Sequence, residues 1–170
     1  MWWMNTGLPD QVDEILAQWA RERPDLDASP MGVIGRICRL APILVEAQAV
    51  IFRELGLDFA SFDVLATLRR SGDPYELTPG ALARSMMVTP GAVAQRLARL
   101  EEQDLITRSH DDPDRRKVTV SLTTRGRDLI DRAVLAHLEN EHRVLADFSD
   151  AELESFAGLL RRLLLAYESR

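Results

Sequence analysis

The chain has 170 residues, 46% hydrophobic, 28% charged and 6% aromatic, with a formal net charge of -6. That size and polarity fit one domain or a compact two-part subunit with its own core, and a single cysteine, Cys38, excludes an intramolecular disulfide and fits a reducing, cytoplasmic setting. No apolar run approaches the roughly 20 residues of a membrane span, and the opening MWWMNTGLPD lacks the basic and apolar regions of a secretory signal.

From the N-terminus, Pro9-Asp10 opens a segment whose apolar Val12, Ile15, Leu16 and Trp19 fall at i, i+3, i+4 and i+7, an amphipathic helix closed near Pro24. Ser29-Pro30 reads as an N-cap and first-turn proline, and a stripe through Ile34, Ile37, Cys38, Ala41, Leu44, Val45 and Ile51 carries a second helix to about Leu55, with a kink expected at Pro42. Ser61 is read as the cap of a third helix bearing Phe62, Val64, Leu65 and Leu68, stopped by Gly72-Asp73-Pro74. Thr78-Pro79-Gly80 and Thr89-Pro90-Gly91 then repeat one start signal, cap plus first-turn proline, so two short helices follow and make a helix-turn-helix. The first turns Leu82 and Met86 inward; the second turns Val93, Leu97 and Leu100 inward and ends near Gln103. Leu105 to His110 and the alternating Val118 to Leu122 read as a hairpin whose loop holds Asp114, Arg115, Arg116 and Lys117. Capped at Thr123 or Thr124, a helix with Ile130, Val134, Leu138 and Leu145 inward runs to about Ala146. Ser149 and Glu152 form a capping box for a last helix, whose stripe of Leu153, Phe156, Leu159, Leu160, Leu163, Leu164 and Tyr167 is wider than one small core needs and points to a partner subunit.

The expected architecture is mainly α with a small β-hairpin, a winged helix-turn-helix with N- and C-terminal dimerisation helices. Its parts are an N-terminal region 1–60 with an added helix, a DNA-binding lobe 61–124, and C-terminal dimerisation helices 125–170.

Charge distribution favours the same lobe. Twenty of the 21 basic residues are arginine, a planar fork suited to phosphates and carboxylates, and Lys117 is the exception. Residues 79–117 carry +1, whereas 1–60 carry -4 and 118–170 carry -2. With Val93, Leu97 and Leu100 buried, the opposite helix face shows Gln95, Arg96 and Arg99, with Thr89, Pro90 and Gly91 at its N-terminus. Those groups suit a solvated face, or else base edges and a phosphate. The hairpin tip, with Arg115, Arg116 and Lys117 placed to reach a DNA backbone, favours the second use.

These residues resemble the MarR family of winged-helix transcription regulators. The resemblance is carried by FDVLATL from Phe62, by LTPGALARSMMVTPGAVAQRLARLE from Leu77, and by DPDRRKVTVSLTTRG from Asp112, the last ending in Leu-Thr-x-x-Gly. It implies a homodimer on a pseudo-palindromic double-stranded DNA operator, a repressor loosened by a small molecule, without cofactor. A finer resemblance is to the urate-responsive branch of that family, through an added N-terminal helix with Trp19 followed by Pro24-Asp25-Leu26-Asp27. It implies a ligand site of Trp19, Asp63, Arg96 and Arg108: Trp19 and Arg108 hold a planar anionic purine, and a salt bridge between Asp63 and Arg96 sets the recognition helix. The helix opens Pro90-Gly91-Ala92-Val93-Ala94-Gln95 where that branch more often has Ser-Gly-Ala-Met-Thr-Asn.

Two other inputs are open to the same fold, phenolic compounds and oxidation of Cys38. A reactive cysteine needs groups that stabilise its thiolate; Cys38 lies among Ile34, Ile37 and Ala41 and is expected to be buried and inert. His110, His137 and His142 have no tight metal spacing and read as surface groups of their elements. There is no nucleophile and base pair, no glycine-rich phosphate loop and no metal motif, so a non-enzyme is expected.

Overall fold

The computed structural model describes residues 8–86, 88–109 and 118–168. Among them seven helices and a small sheet follow the expected order: α1 (Gln11–Glu22), α2 (Ser29–Glu54), α3 (Phe59–Arg70), β1 (Glu76–Leu77), α4 (Pro79–Ser85), α5 (Pro90–Glu102), β2 (Ile106–Ser109), β3 (Thr119–Leu122), α6 (Thr124–Val144) and α7 (Asp150–Glu168). The chain forms two compact units, one through Ala47 and one from Gln48 onward.

In the first unit, the Asp10 side chain caps α1 by accepting the Val12 and Asp13 amides, and Asp13 returns a bond to the Asp10 amide, a capping box. The Arg36 guanidinium bonds both carboxylates, Asp10 at 2.8 Å and Asp13 at 2.8 Å, and so ties α1 to α2. Val12 is the buried residue of α1 and packs beside Gly35. Trp19, on the same stripe, stays 40% exposed. α2 runs on through Pro42. Its start differs from expectation: Asp27 accepts the Ser29 amide and Ser29 is already helical. On the α2 stripe Ile34, Leu44 and Val45 are exposed and Cys38 with them, against the expectation of burial.

The second unit is a winged helix built on one core. Phe52, Val64, Leu65, Leu68, Leu82, Val93, Leu97, Leu100, Ile106, Val120 and Ile130 are almost fully buried together, each worth about 1.5–3 kcal/mol of transfer from water. The core does not break at residue 125, because Ile130 and Ala133 of α6 belong to it. β3 is the central strand, order β1-β3-β2, with Glu76 opposite Ser121 on one side and Arg108 opposite Val120 on the other. β1, two residues long, was not anticipated. Asp58, not Ser61, caps α3; Ser61 is buried in the first turn and gives its amide to Asp58 at 2.7 Å. His137 leaves the expected surface role: it tucks against the stacked rings of Phe52 and Phe62, with Nε2 3.1 Å from Glu141.

The Leu-Thr-x-x-Gly motif explains how the sheet feeds α6. The Thr123 hydroxyl accepts the Gly126 amide at 2.9 Å and donates to the Asp104 carbonyl at 2.8 Å. Gly126 presses so close to Leu105 that an added Cβ would lie 1.9 Å from its carbonyl oxygen. In α7 no described residue is buried, and Phe156, Leu159 and Leu164 are 50–60% exposed. No helix among the described residues is long and apolar enough to cross a membrane.

Candidate functional site

The helix-turn-helix is assembled by local chemistry. Thr78 and Thr89 each accept an amide three residues on, Ala81 at 3.2 Å and Ala92 at 3.4 Å, and Pro79 and Pro90 stand where no helical donor is lost. Val93, Leu97 and Leu100 bury one side of α5. Gly91, Ala94, Gln95 and Arg99 stay exposed on the other. A Cβ on Gly91 would meet open space, so the backbone of the first turn of α5 is uncovered there.

The polar side of α5 and the start of α3 line a cleft of about 600 Å³, formed by Asp58, Ala60 and Ser61 with Gln95, Arg96, Ala98, Arg99 and Glu102. Arg99 Nη1 donates to Asp58 Oδ2 at 2.9 Å, while Asp58 Oδ1 caps α3. Burial pushes the Asp58 carboxyl up, but the Ser61 bonds and then the charges of Arg99 and Arg96 outweigh it and hold the group below its ordinary value. Arg96 acts on both Asp58 and Asp63 through charge alone among the described residues.

Asp63, on α3, is half-buried. Desolvation drives its carboxyl above the ordinary value, with Arg70 and then Arg96 opposing in part. Its ion pair is with Arg70, and a long one at 3.9 Å; Arg70 also donates to the Ser85 hydroxyl of α4 at 3.4 Å. The direct bond to Arg96 that the resemblance implies is therefore replaced by a pair within α3 plus the field of Arg96. Arg108, on β2, is held by Glu101 in the last turn of α5, through Nε at 2.8 Å and through Nη2, and this contact raises its already high pKa. Asp58, Arg70 and Glu101 were not singled out from the sequence. Asp58 had a visible signal, an acidic residue three before Ser61; the pairings of Arg70 and Glu101 had none.

The second unit thus brings together Asp63, Gln95, Arg96 and Arg99 around α5, with Arg108 beside its C-terminal end. Trp19 belongs to the first unit, where its carbonyl accepts the Arg23 amide at 2.8 Å. Asp114, Arg115, Arg116 and Lys117 lie outside the described residues, as does His110. No group of three metal-ligating side chains occurs among the described residues.

A model of the MarR family matches residues 55–117. The chain is 39% identical to the HTH-type transcriptional regulator PecS of Dickeya dadantii (strain 3937) over 153 residues, covering 90% of this chain and 92% of PecS. Among solved structures it resembles AbsC, a MarR family transcriptional regulator from Streptomyces coelicolor, with a TM-score of 0.76 at 16% identity over 85% of this chain and 98% of AbsC. It also resembles Bordetella bronchiseptica BpsR, whose DNA binding is regulated by 6-hydroxynicotinic acid, with a TM-score of 0.67 at 27% identity over 77% and 91% of the two chains.

Proposed function

Because the chain belongs to the MarR family of transcriptional regulators, we propose that it is a homodimeric repressor which grips a pseudo-palindromic operator through α5 and the β2–β3 wing, and which a small planar anion such as urate releases. Gln95 and Arg96 read base edges, Arg99 and the wing cations Arg115, Arg116 and Lys117 meet phosphates, and Thr89, Pro90 and Gly91 present the helix start to the backbone. A second copy covers the exposed apolar residues of α7 and α2.

The observation that carries the effector reading is Asp63: a half-buried carboxylate whose burial already opposes ionisation, lying in the field of Arg96 on the recognition helix. A ligand anion brought near Asp63 raises the cost of its charge further and competes for Arg96. One charge pair thereby biases the setting of α5, a local switch with a DNA-binding readout. Arg108 supplies the anion with a guanidinium once it exchanges Glu101 for the ligand, and Trp19 is the residue that the resemblance assigns to the ring. BpsR supports a ligand of this shape and charge, since 6-hydroxynicotinic acid is also a planar anionic heterocycle. The test is a titration of urate against the protein bound to its own upstream intergenic DNA. Release is expected in the wild type, with Arg96→Ala showing both weaker binding and no urate response. Release that persists unchanged in Arg96→Ala contradicts the mechanism.

A further inference from the structure

Arg99 shares the outer face of α5 with Gln95, one turn away, so it is placed to meet DNA; yet its guanidinium is already engaged by Asp58 at 2.9 Å. Asp58 is itself fixed, because its other oxygen caps α3 through the Ser61 amide. With that oxygen occupied, Asp58 offers Arg99 one charged oxygen fixed in place, an acceptor of the same kind as a free oxygen of a DNA phosphate. The pair is not what seats α5: Val93, Leu97 and Leu100 are at most 1% exposed, whereas the Arg99 and Asp58 side chains are 60% and 47% exposed. Exposed pairs of this kind exchange partners cheaply. Glu102, on the same cleft, adds a second negative group beside the first.

We propose that Asp58 is an intramolecular competitor of DNA phosphate for Arg99. On the operator the guanidinium passes from Asp58 to the backbone, and Asp58 is left facing Arg96. The consequence is a brake: each protomer contributes one fewer cation to sequence-independent binding than its exposed arginines would supply, so discrimination between operator and other DNA improves. This rests on the DNA-binding reading above, but on no ligand.

The test uses the full-length protein and fluorescence anisotropy on two duplexes of equal length, the upstream intergenic DNA and a scrambled sequence, across a series of NaCl concentrations. Asp58→Asn keeps a cap, since asparagine caps as well as aspartate, and removes the competing charge. It is expected to bind the scrambled duplex roughly five-fold tighter per freed arginine near ~0.15 M salt, with the log-log salt slope steeper by about one per protomer. Adding Arg99→Gln should return both values close to wild type. Asp58→Ser, a second capping residue, should behave as Asp58→Asn, and circular dichroism confirms that both fold. An unchanged slope, weaker binding, or a gain that survives Arg99→Gln overturns the brake. A wild type that binds neither duplex overturns the DNA-binding reading as well.

Discussion

Gly126 is the residue with the least freedom in the winged lobe. A Cβ there would sit 1.9 Å from the Leu105 carbonyl oxygen, and since backbone is the obstacle, no rotamer relieves it. Gly126→Ala is expected to cost about 3 kcal/mol or more, read as a lower urea midpoint, because β2 and α6 must separate. Asp63 behaves in the opposite way. Its folded pKa is raised by burial, so at neutral pH the folded state carries a charge that the unfolded state holds more easily, and Asp63 subtracts stability there. Asp63→Asn should therefore melt higher than wild type at pH 7, and the advantage should vanish as pH falls through the raised folded value toward the ordinary carboxylate range. A melting series from pH 7 to pH 3.5 checks this; an advantage that grows on acidification contradicts the burial argument.

At the scale of elements, α5 is held by packing and finished by its cap. Leu97 is 1% exposed, so Leu97→Ala should cost about 2–5 kcal/mol through a cavity. Thr89→Ala should cost about 0.5–1 kcal/mol, at the low end for a cap because its bond to Ala92 is 3.4 Å. Chemical denaturation separates the two. What the sequence made legible follows the same division between local and long-range forces. The Thr-Pro-Gly starts of α4 and α5 are settled within four residues and stand where the pattern puts them, and of the two candidate caps of α6, Thr123 and Thr124, the first is used. The start of α3 moved by three residues because Asp58 and Ser61 are both good caps, and Phe59, packed 6.2 Å from Phe52, falls inside the helix only if Asp58 is chosen. β1 has no period of its own over Glu76 and Leu77; it exists because β3, more than forty residues on, offers an edge. Arg96 and Arg99 could be found from the helix face they occupy, and Arg108 and Asp63 from the family resemblance alone, but Asp58 and Glu101, the carboxylates that engage Arg99 and Arg108, could not, because they meet them only through tertiary packing.

For the whole molecule, burial patterns read from one chain stop at its surface. The stripes of α1, α2 and α7 were legible as apolar, and Trp19 and Cys38 were placed by those of α1 and α2, yet which side is covered depends on what lies opposite. α7 has no buried described residue, an arrangement that a lone chain would pay for in exposed leucine. Leu164→Glu, at a position 60% exposed in the chain, is therefore expected to shift sedimentation toward the monomer while leaving the helical circular dichroism intact. Operator affinity should fall roughly 100-fold or more, because the second half-site no longer binds at high effective concentration. Retention of both the dimer and the affinity contradicts that assignment of α7.

The most direct measurement is fluorescence anisotropy of the upstream intergenic duplex at fixed salt, with and without urate, for wild type, Asp63→Asn and Arg96→Ala. Coupling through the Asp63 and Arg96 charges requires that urate raise the wild-type Kd by about tenfold, a coupling of roughly 1.4 kcal/mol, and leave both variants nearly unmoved. Superimposable wild-type isotherms with and without urate and 6-hydroxynicotinic acid would contradict a planar anionic effector while leaving the DNA-binding fold in place.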